Sequence, residues 1–96
     1  MKNVRFSEKA DIDLLLIARY TIHKFGLKQA RIYKGELYDC IRSLAANPSL
    51  GRNASRYSDE LKQFSCKSHS IFYMSMANGI FVIRLLNQRR DFDRHL

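Results

Sequence analysis

His69-Ser70-Ile71-Phe72-Tyr73-Met74-Ser75-Met76, then Ala77-Asn78, then Gly79-Ile80-Phe81-Val82-Ile83-Arg84-Leu85-Leu86 is the stretch that decides the fold. Both halves are rich in β-branched and aromatic residues, and Asn78-Gly79 between them is the strongest short hairpin signal. Two antiparallel neighbouring strands are predicted. The second half is apolar on both faces up to Arg84, which places it inside a sheet with helices on one side. Leu61-Lys62-Gln63-Phe64-Ser65-Cys66 alternates in part, and Lys67-Ser68 is a tight turn leading from it to His69, so a third strand joins the sheet.

Upstream of these strands, Pro48 to Glu60 is polar and basic, with Gly51, Asn53, Ser55 and Ser58 and no period of 2 or 3.6, and reads as a loop long enough to bind something. Asn47-Pro48 stops a helix, because proline lacks the N–H and pushes its predecessor out of the helical region. That helix spans Lys28 to Ala46, with Ala30, Tyr33, Leu37, Cys40, Ile41 and Leu44 on one stripe. An earlier helix fits Glu8 to Phe25. In it Ile12, Leu15, Leu16, Ala18, Ile22 and Phe25 recur at three and four, while Leu14 and Ile17 widen the stripe, so it is expected to be covered on more than one side. Ser7 is its N-cap, Glu8 and Asp11 suit its first turn, and Gly26 can take the left-handed conformation at its end. Two helices joined through Gly26 pack antiparallel. Val4-Arg5-Phe6 is a short strand before them. The order β-α-α-β-β-β describes one α+β domain over residues 1–96, with a two-helix layer on a four-stranded sheet.

A chain of 96 residues with 46% hydrophobic and 27% charged residues is long enough for one core and too apolar to be disordered. Lys and Arg total 17 against 9 for Asp and Glu, a formal charge of +8, which calls for an acidic partner: nucleic acid, an acidic protein or a membrane surface. The longest apolar run, Leu14 to Ala18, is far short of the roughly 20 residues of a membrane span, and the N-terminus lacks an export signal. A soluble, cytoplasmic protein is expected, in which Cys40 and Cys66 stay reduced as small buried apolar residues.

Cys66-x-x-His69 has a ligand-like spacing, yet zinc takes three or four protein ligands and Cys40 lies on a stripe facing the core, so no metal and no cofactor is expected. There is no serine elbow and no glycine-rich phosphate loop. Metal-free RNA cleavage would need a base, an acid and cations for the phosphorane charge. Arg84, Arg89, Arg90 and Arg94 are candidate cations, Tyr73 a hydroxyl, and His69 and His95 proton carriers. Each also has a plain structural role available, as a rim cation, a core edge or a chain terminus. The basic residues are spread along the chain without a helix-turn-helix pattern, which argues against direct reading of DNA.

Ala46-Asn47-Pro48-Ser49-Leu50-Gly51-Arg52 resembles the "NPxLGR" turn after the second helix of ParE-type toxins. His69-Ser70-Ile71-Phe72-Tyr73 resembles their "hxIFY" strand. Ile83-Arg84-Leu85-Leu86-Asn87-Gln88-Arg89-Arg90-Asp91 is similar to their "IRILHxRxD" close, and Arg94-His95-Leu96 also recurs in that family. The motifs fall in order over nearly the whole chain. The resemblance to the ParE branch of the RelE/ParE superfamily implies a toxin without catalytic residues that inhibits DNA gyrase. It implies as partner a ParD-like antitoxin whose acidic C-terminal segment wraps the toxin in a hetero-oligomer and whose other part binds DNA. The histidine common after the last strand is Asn87 here, and asparagine cannot carry a proton at neutral pH.

Two alternatives stand beside this reading: a RelE-like ribosome-dependent mRNA endonuclease on the same fold, and an interaction module without toxicity. On the ParE-like reading, antitoxin is expected across the helical hairpin and the basic loop, at Leu16, Tyr20, Arg52, Arg56 and Lys62. Toxicity is expected in the tail, where Arg89, Arg90, Asp91 and Arg94 surround Phe92 in the composition of an interface hot spot. Arg84 is expected to hold the base of that tail.

Overall fold

The computed structural model describes residues 3–89 and 92–96, the side chain of Asp93 excepted. Strand β1 (Asn3–Phe6) passes to helix α1 (Glu8–Phe25) at Ser7, whose hydroxyl accepts the Ala10 N–H at 3.0 Å. Glu8 and Asp11 in the first turn and His23 and Lys24 in the last complement the helix dipole. Gly26, at φ +92°, both ends α1 and begins helix α2 (Leu27–Ala46), a one-residue link that folds the two helices back on each other. After the single 3₁₀ turn Pro48–Leu50 come β2 (Arg52–Asn53), β3 (Lys62–Cys66), β4 (His69–Met76), β5 (Gly79–Asn87) and a four-residue helix α3 (Phe92–His95).

The α+β class and the order of the main elements are as read from the sequence. The sheet has five strands in the order β1-β5-β4-β3-β2, one more than expected, because Arg52–Asn53 of the basic loop pairs with β3. β1 runs parallel to β5, the remaining pairs are antiparallel, and β5 lies inside the sheet as its apolar faces require. The β4–β5 turn is Ala77-Asn78, with Met76 opposite Gly79. Gly79 sits at φ +144° in register with Asn3, and a Cβ there would run into the Asn3 carbonyl. Close approach of β1 therefore demands this glycine as much as the hairpin does.

Two cores result, one on each face of the sheet. On the helix side, Leu37, Ile41 and Leu44 of α2 pack on Ile71, Tyr73, Ile80, Val82 and Leu85. On the other side Phe72, Leu86, Leu61 and Ala54 are buried beneath Tyr57, Phe92 and Leu96. A bulge in β5 serves both. Phe72 pairs with Arg84 and Tyr73 with Val82, so Ile83 is an extra residue, and Val82 and Leu85 reach the same core although three positions apart. Tyr73 is fully buried, and its hydroxyl donates to the Pro48 carbonyl at 2.7 Å and accepts the Gly51 N–H at 2.8 Å. That contact pins the turn after α2 to the sheet.

Two expectations are corrected. Cys40 and Cys66 are not separate thiols: they form a disulfide joining α2 to the end of β3, with Cα atoms 6.5 Å apart. Cys66 is buried and Cys40 only partly so, and a separation of 26 residues carries no sign of spatial adjacency. The second correction concerns α1. Ile12, Leu15, Leu16 and Tyr20 are 50–59% exposed, and the residues of α1 that are buried are Ala10, Asp13 and Thr21. Leu14 and Ile17, on the flank of the stripe, make its contact with the core. No described helix is long and apolar enough to cross a membrane.

Replacing Cys40 and Cys66 together by alanine should lower unfolding free energy by roughly 3 kcal/mol, the chain-entropy contribution of a loop of this length. Urea melts of the double variant and of reduced wild type should agree. Tyr73→Phe should cost about 1–3 kcal/mol, because it strips a buried N–H and a buried carbonyl of their partner. Burial raises the Tyr73 pKa above the ordinary phenol value of 10.0, with the Gly51 N–H opposing. The neutral hydroxyl is thus the folded form, and stability should be level below that pH and fall as pH rises through the folded pKa. Melts of Tyr73→Phe above that value should show a shallower alkaline decline than wild type.

Candidate functional site

β1 ends at Phe6, opposite Val82, whereas β5 runs on to Asn87. Backbone groups on that side of β5 then need other partners, and α1 supplies them. The Ser7 hydroxyl donates to the Ile83 carbonyl at 2.6 Å, and Asp13 Oδ2 accepts the Leu85 N–H at 2.9 Å. A carboxylate so far from solvent requires a cation. Arg84 provides it through two bonds, Nε to Oδ2 at 2.8 Å and Nη2 to Oδ1 at 3.0 Å, with the side chains 13% and 9% exposed. The hydrogen bond to Asp13 raises the Arg84 pKa above its ordinary value, burial opposes this, and the Asp13 charge reinforces it. The guanidinium is therefore held in its charged form.

Above this ion pair lies an open groove of about 810 Å³ between the outer face of α1 and the end of β5. Ile12, Leu16 and Tyr20 form its apolar wall, Asp13, Arg84 and Leu85 its floor, and Lys9 and Arg89 bring positive charge to its rim. Asn87 and His69 close one end. The Asn87 side-chain carbonyl accepts the Arg89 N–H at 2.9 Å, shaping the turn that presents Arg89. His69 is held by α2, with its Nδ1 2.6 Å from the Tyr33 hydroxyl, which also lies 2.9 Å from Ser68 Oγ. Such a groove fits an amphipathic, acidic segment: apolar residues against the wall, carboxylates against the rim.

The structure thus brings Leu16 and Tyr20 together with Arg84 and Arg89. Arg52, Arg56 and Lys62 lie elsewhere, on or beside β2 and β3, at the opposite edge of the sheet from β1. There Arg56 stacks over the Tyr57 ring at 4.7 Å and stays exposed. Phe92 is partly buried against Phe72, ring centroids 5.0 Å apart, and Arg94 is exposed beside it on α3. Arg90 and Asp91 lie outside the described residues. Among the described residues no cluster of His, Cys, Asp or Glu is arranged to hold a metal. Sequence reasoning did not single out Lys9, Ile12 and Asp13. The available signal was a matched pair of oddities: an acid set between Ile12 and Leu14 in the first helix and one arginine inside the apolar last strand.

The family model of the ParE toxin of the type II toxin-antitoxin system, parDE, matches residues 4–92. Toxin ParE1 of Mycobacterium tuberculosis is 39% identical over 77 residues, 79% of each chain. Toxin ParE1 of Caulobacter vibrioides is 30% identical over 96 residues, covering 100% of this chain and 99% of that one. A solved chain of the chromosomal ParDE toxin-antitoxin system from P. aeruginosa superposes with a TM-score of 0.76 at 15% identity, over 91% of this chain and 96% of that one, and so shares the fold. With the helical hairpin, the sheet and the sequence all in agreement, the chain belongs to the ParE family of toxins of type II toxin-antitoxin systems.

Proposed function

We propose that this toxin arrests growth by inhibiting DNA gyrase in the cytoplasm, without catalysis of its own, and that a ParD-like antitoxin neutralises it by filling the groove on α1. The observation that carries the antitoxin reading is the outward apolar face of α1, with Leu16 and Tyr20 at least half exposed beside Lys9 and Arg89. A formal charge of +8 adds long-range attraction for an acidic segment. Arg52, Arg56 and Lys62 extend the attraction to the far edge of the sheet, where a segment wrapping the toxin would meet them.

Of the groups that an RNA-cleaving site would need, His69, Arg84 and Arg89 share the groove, but the others are absent from it or already engaged. Tyr73 is buried with its hydroxyl held between Pro48 and Gly51, Arg84 is committed to Asp13, and Asn87 replaces a proton carrier. This supports a toxin that acts by binding. The target-binding surface is the C-terminal segment, Arg89 to Arg94, whose exposed Arg89 and Arg94 flank the anchored Phe92. Removing that segment would uncover Phe72 and Leu86, so point replacements test it more cleanly than deletion.

Leu16→Glu with Tyr20→Glu should leave the fold intact, since both residues are exposed, and weaken the antitoxin complex by about 2–4 kcal/mol, the range of interface hot spots. Arg52→Glu with Arg56→Glu should weaken it less and flatten its salt dependence. Titration by calorimetry at two salt concentrations distinguishes these outcomes, and unchanged affinity of the Leu16/Tyr20 variant would remove the groove from the interface.

The purified toxin should inhibit supercoiling by gyrase and leave message intact in a cell-free translation reaction. Codon-linked cleavage of message at sub-stoichiometric toxin would instead establish ribosome-dependent RNase activity.

A further inference from the structure

Helix α3 is one turn long, closed by the Leu96 N–H on the Phe92 carbonyl at 2.9 Å, and so short a helix does not hold its own pose. Among the described residues, Leu96 packs on the second core and two directional contacts set the pose of the helix. The Phe92 ring sits on Phe72 and Tyr57 and fixes where the segment starts. Arg84 Nη1 donates to the His95 carbonyl at 2.7 Å and fixes where it ends. Guanidinium is a rigid planar fork, so the carboxylate that engages Nε and Nη2 also dictates where Nη1 points. That carboxylate is Asp13 of α1, itself oriented by the Leu85 N–H. The chain of contacts runs from the β5 backbone through α1 to the C-terminus.

We propose that Asp13 and Arg84 are positioning residues that set the pose of Phe92–Leu96, so that the toxic surface is aimed by the same ion pair that floors the groove. This rests on the reading of the C-terminal segment as the gyrase-binding surface. Neither residue needs to touch gyrase. Arg84 acts through the His95 carbonyl, and Asp13, on the first helix, acts through Arg84.

The test pairs hydrogen exchange with gyrase inhibition in the full chain. Arg84→Lys keeps the charge but offers one ammonium in place of the fork. Asp13→Asn keeps the shape and one acceptor oxygen and makes no contact with α3 in its own right. In both variants the Leu96 amide should exchange about tenfold faster or more, as expected for loss of a charge-assisted hydrogen bond, while α2 and β4 remain protected at the level that the lowered global stability sets. The toxin concentration for half-inhibition of supercoiling should rise by a similar factor. The double variant should be little worse than either single one, since both break one chain of contacts. A Leu96 amide as protected as in wild type in both variants, or a loosened segment with unchanged inhibition, overturns the proposal. Arg89→Glu with Arg94→Glu, both exposed, separates the two readings. If that variant inhibits gyrase normally, the C-terminal segment is not the target surface and both readings fall. If it is inactive while Arg84→Lys and Asp13→Asn inhibit like wild type, the positioning role alone fails.

Discussion

A strand that outruns its neighbour leaves backbone donors and acceptors with nothing opposite, and β5 does this where β1 stops at Phe6. Asp13 satisfies the first such N–H, that of Leu85, from the buried side of α1. Burying a carboxylate for that purpose is tolerable only with a cation in hydrogen-bonding geometry, which Arg84 supplies from the strand itself. Removing either partner from such a pair costs about 3–5 kcal/mol, a large part of the stability of a small domain. α1 is therefore locked to the sheet edge through a polar contact as well as through Leu14 and Ile17.

The rotation of α1 about its axis follows from this. With Ala10, Asp13 and Thr21 turned inward, the more apolar flank containing Ile12, Leu16 and Tyr20 is turned outward. Contiguous exposed apolar side chains of this kind are what a docking partner would cover. The same lock places Lys9 and Arg89 at the rim of the groove and directs the free arm of Arg84 to the His95 carbonyl. One ion pair thus lies beneath the groove and behind the C-terminal helix.

Around it, the remaining structure is reinforced by local ties. Tyr73 fastens the turn after α2, the disulfide joins α2 to β3, and the rings of Tyr57, Phe72 and Phe92 close the second core on the sheet face away from the helices. Phe92 accordingly has an anchoring part in the fold, while Arg89 and Arg94 remain exposed.

The sequence by itself determined what depends on neighbours along the chain. Helix α2 was legible because its stripe of Ala30, Leu37, Ile41 and Leu44 is the face it buries, and the β4–β5 hairpin because Asn78-Gly79 marks where β4 gives way to β5, the turn itself being Ala77-Asn78. The family was legible from short motifs in order, and the charge indicated an acidic partner. Only the tertiary structure decided the parallel pairing of β1 with β5, the two-residue strand β2, the Cys40–Cys66 bond and the convergence of Leu16, Tyr20, Arg84 and Arg89 on one groove. Each joins residues distant in sequence, where periodicity has no reach. For α1 the hydrophobic stripe records that a face is to be covered, while which flank turns to the sheet is set by where Asp13 must go.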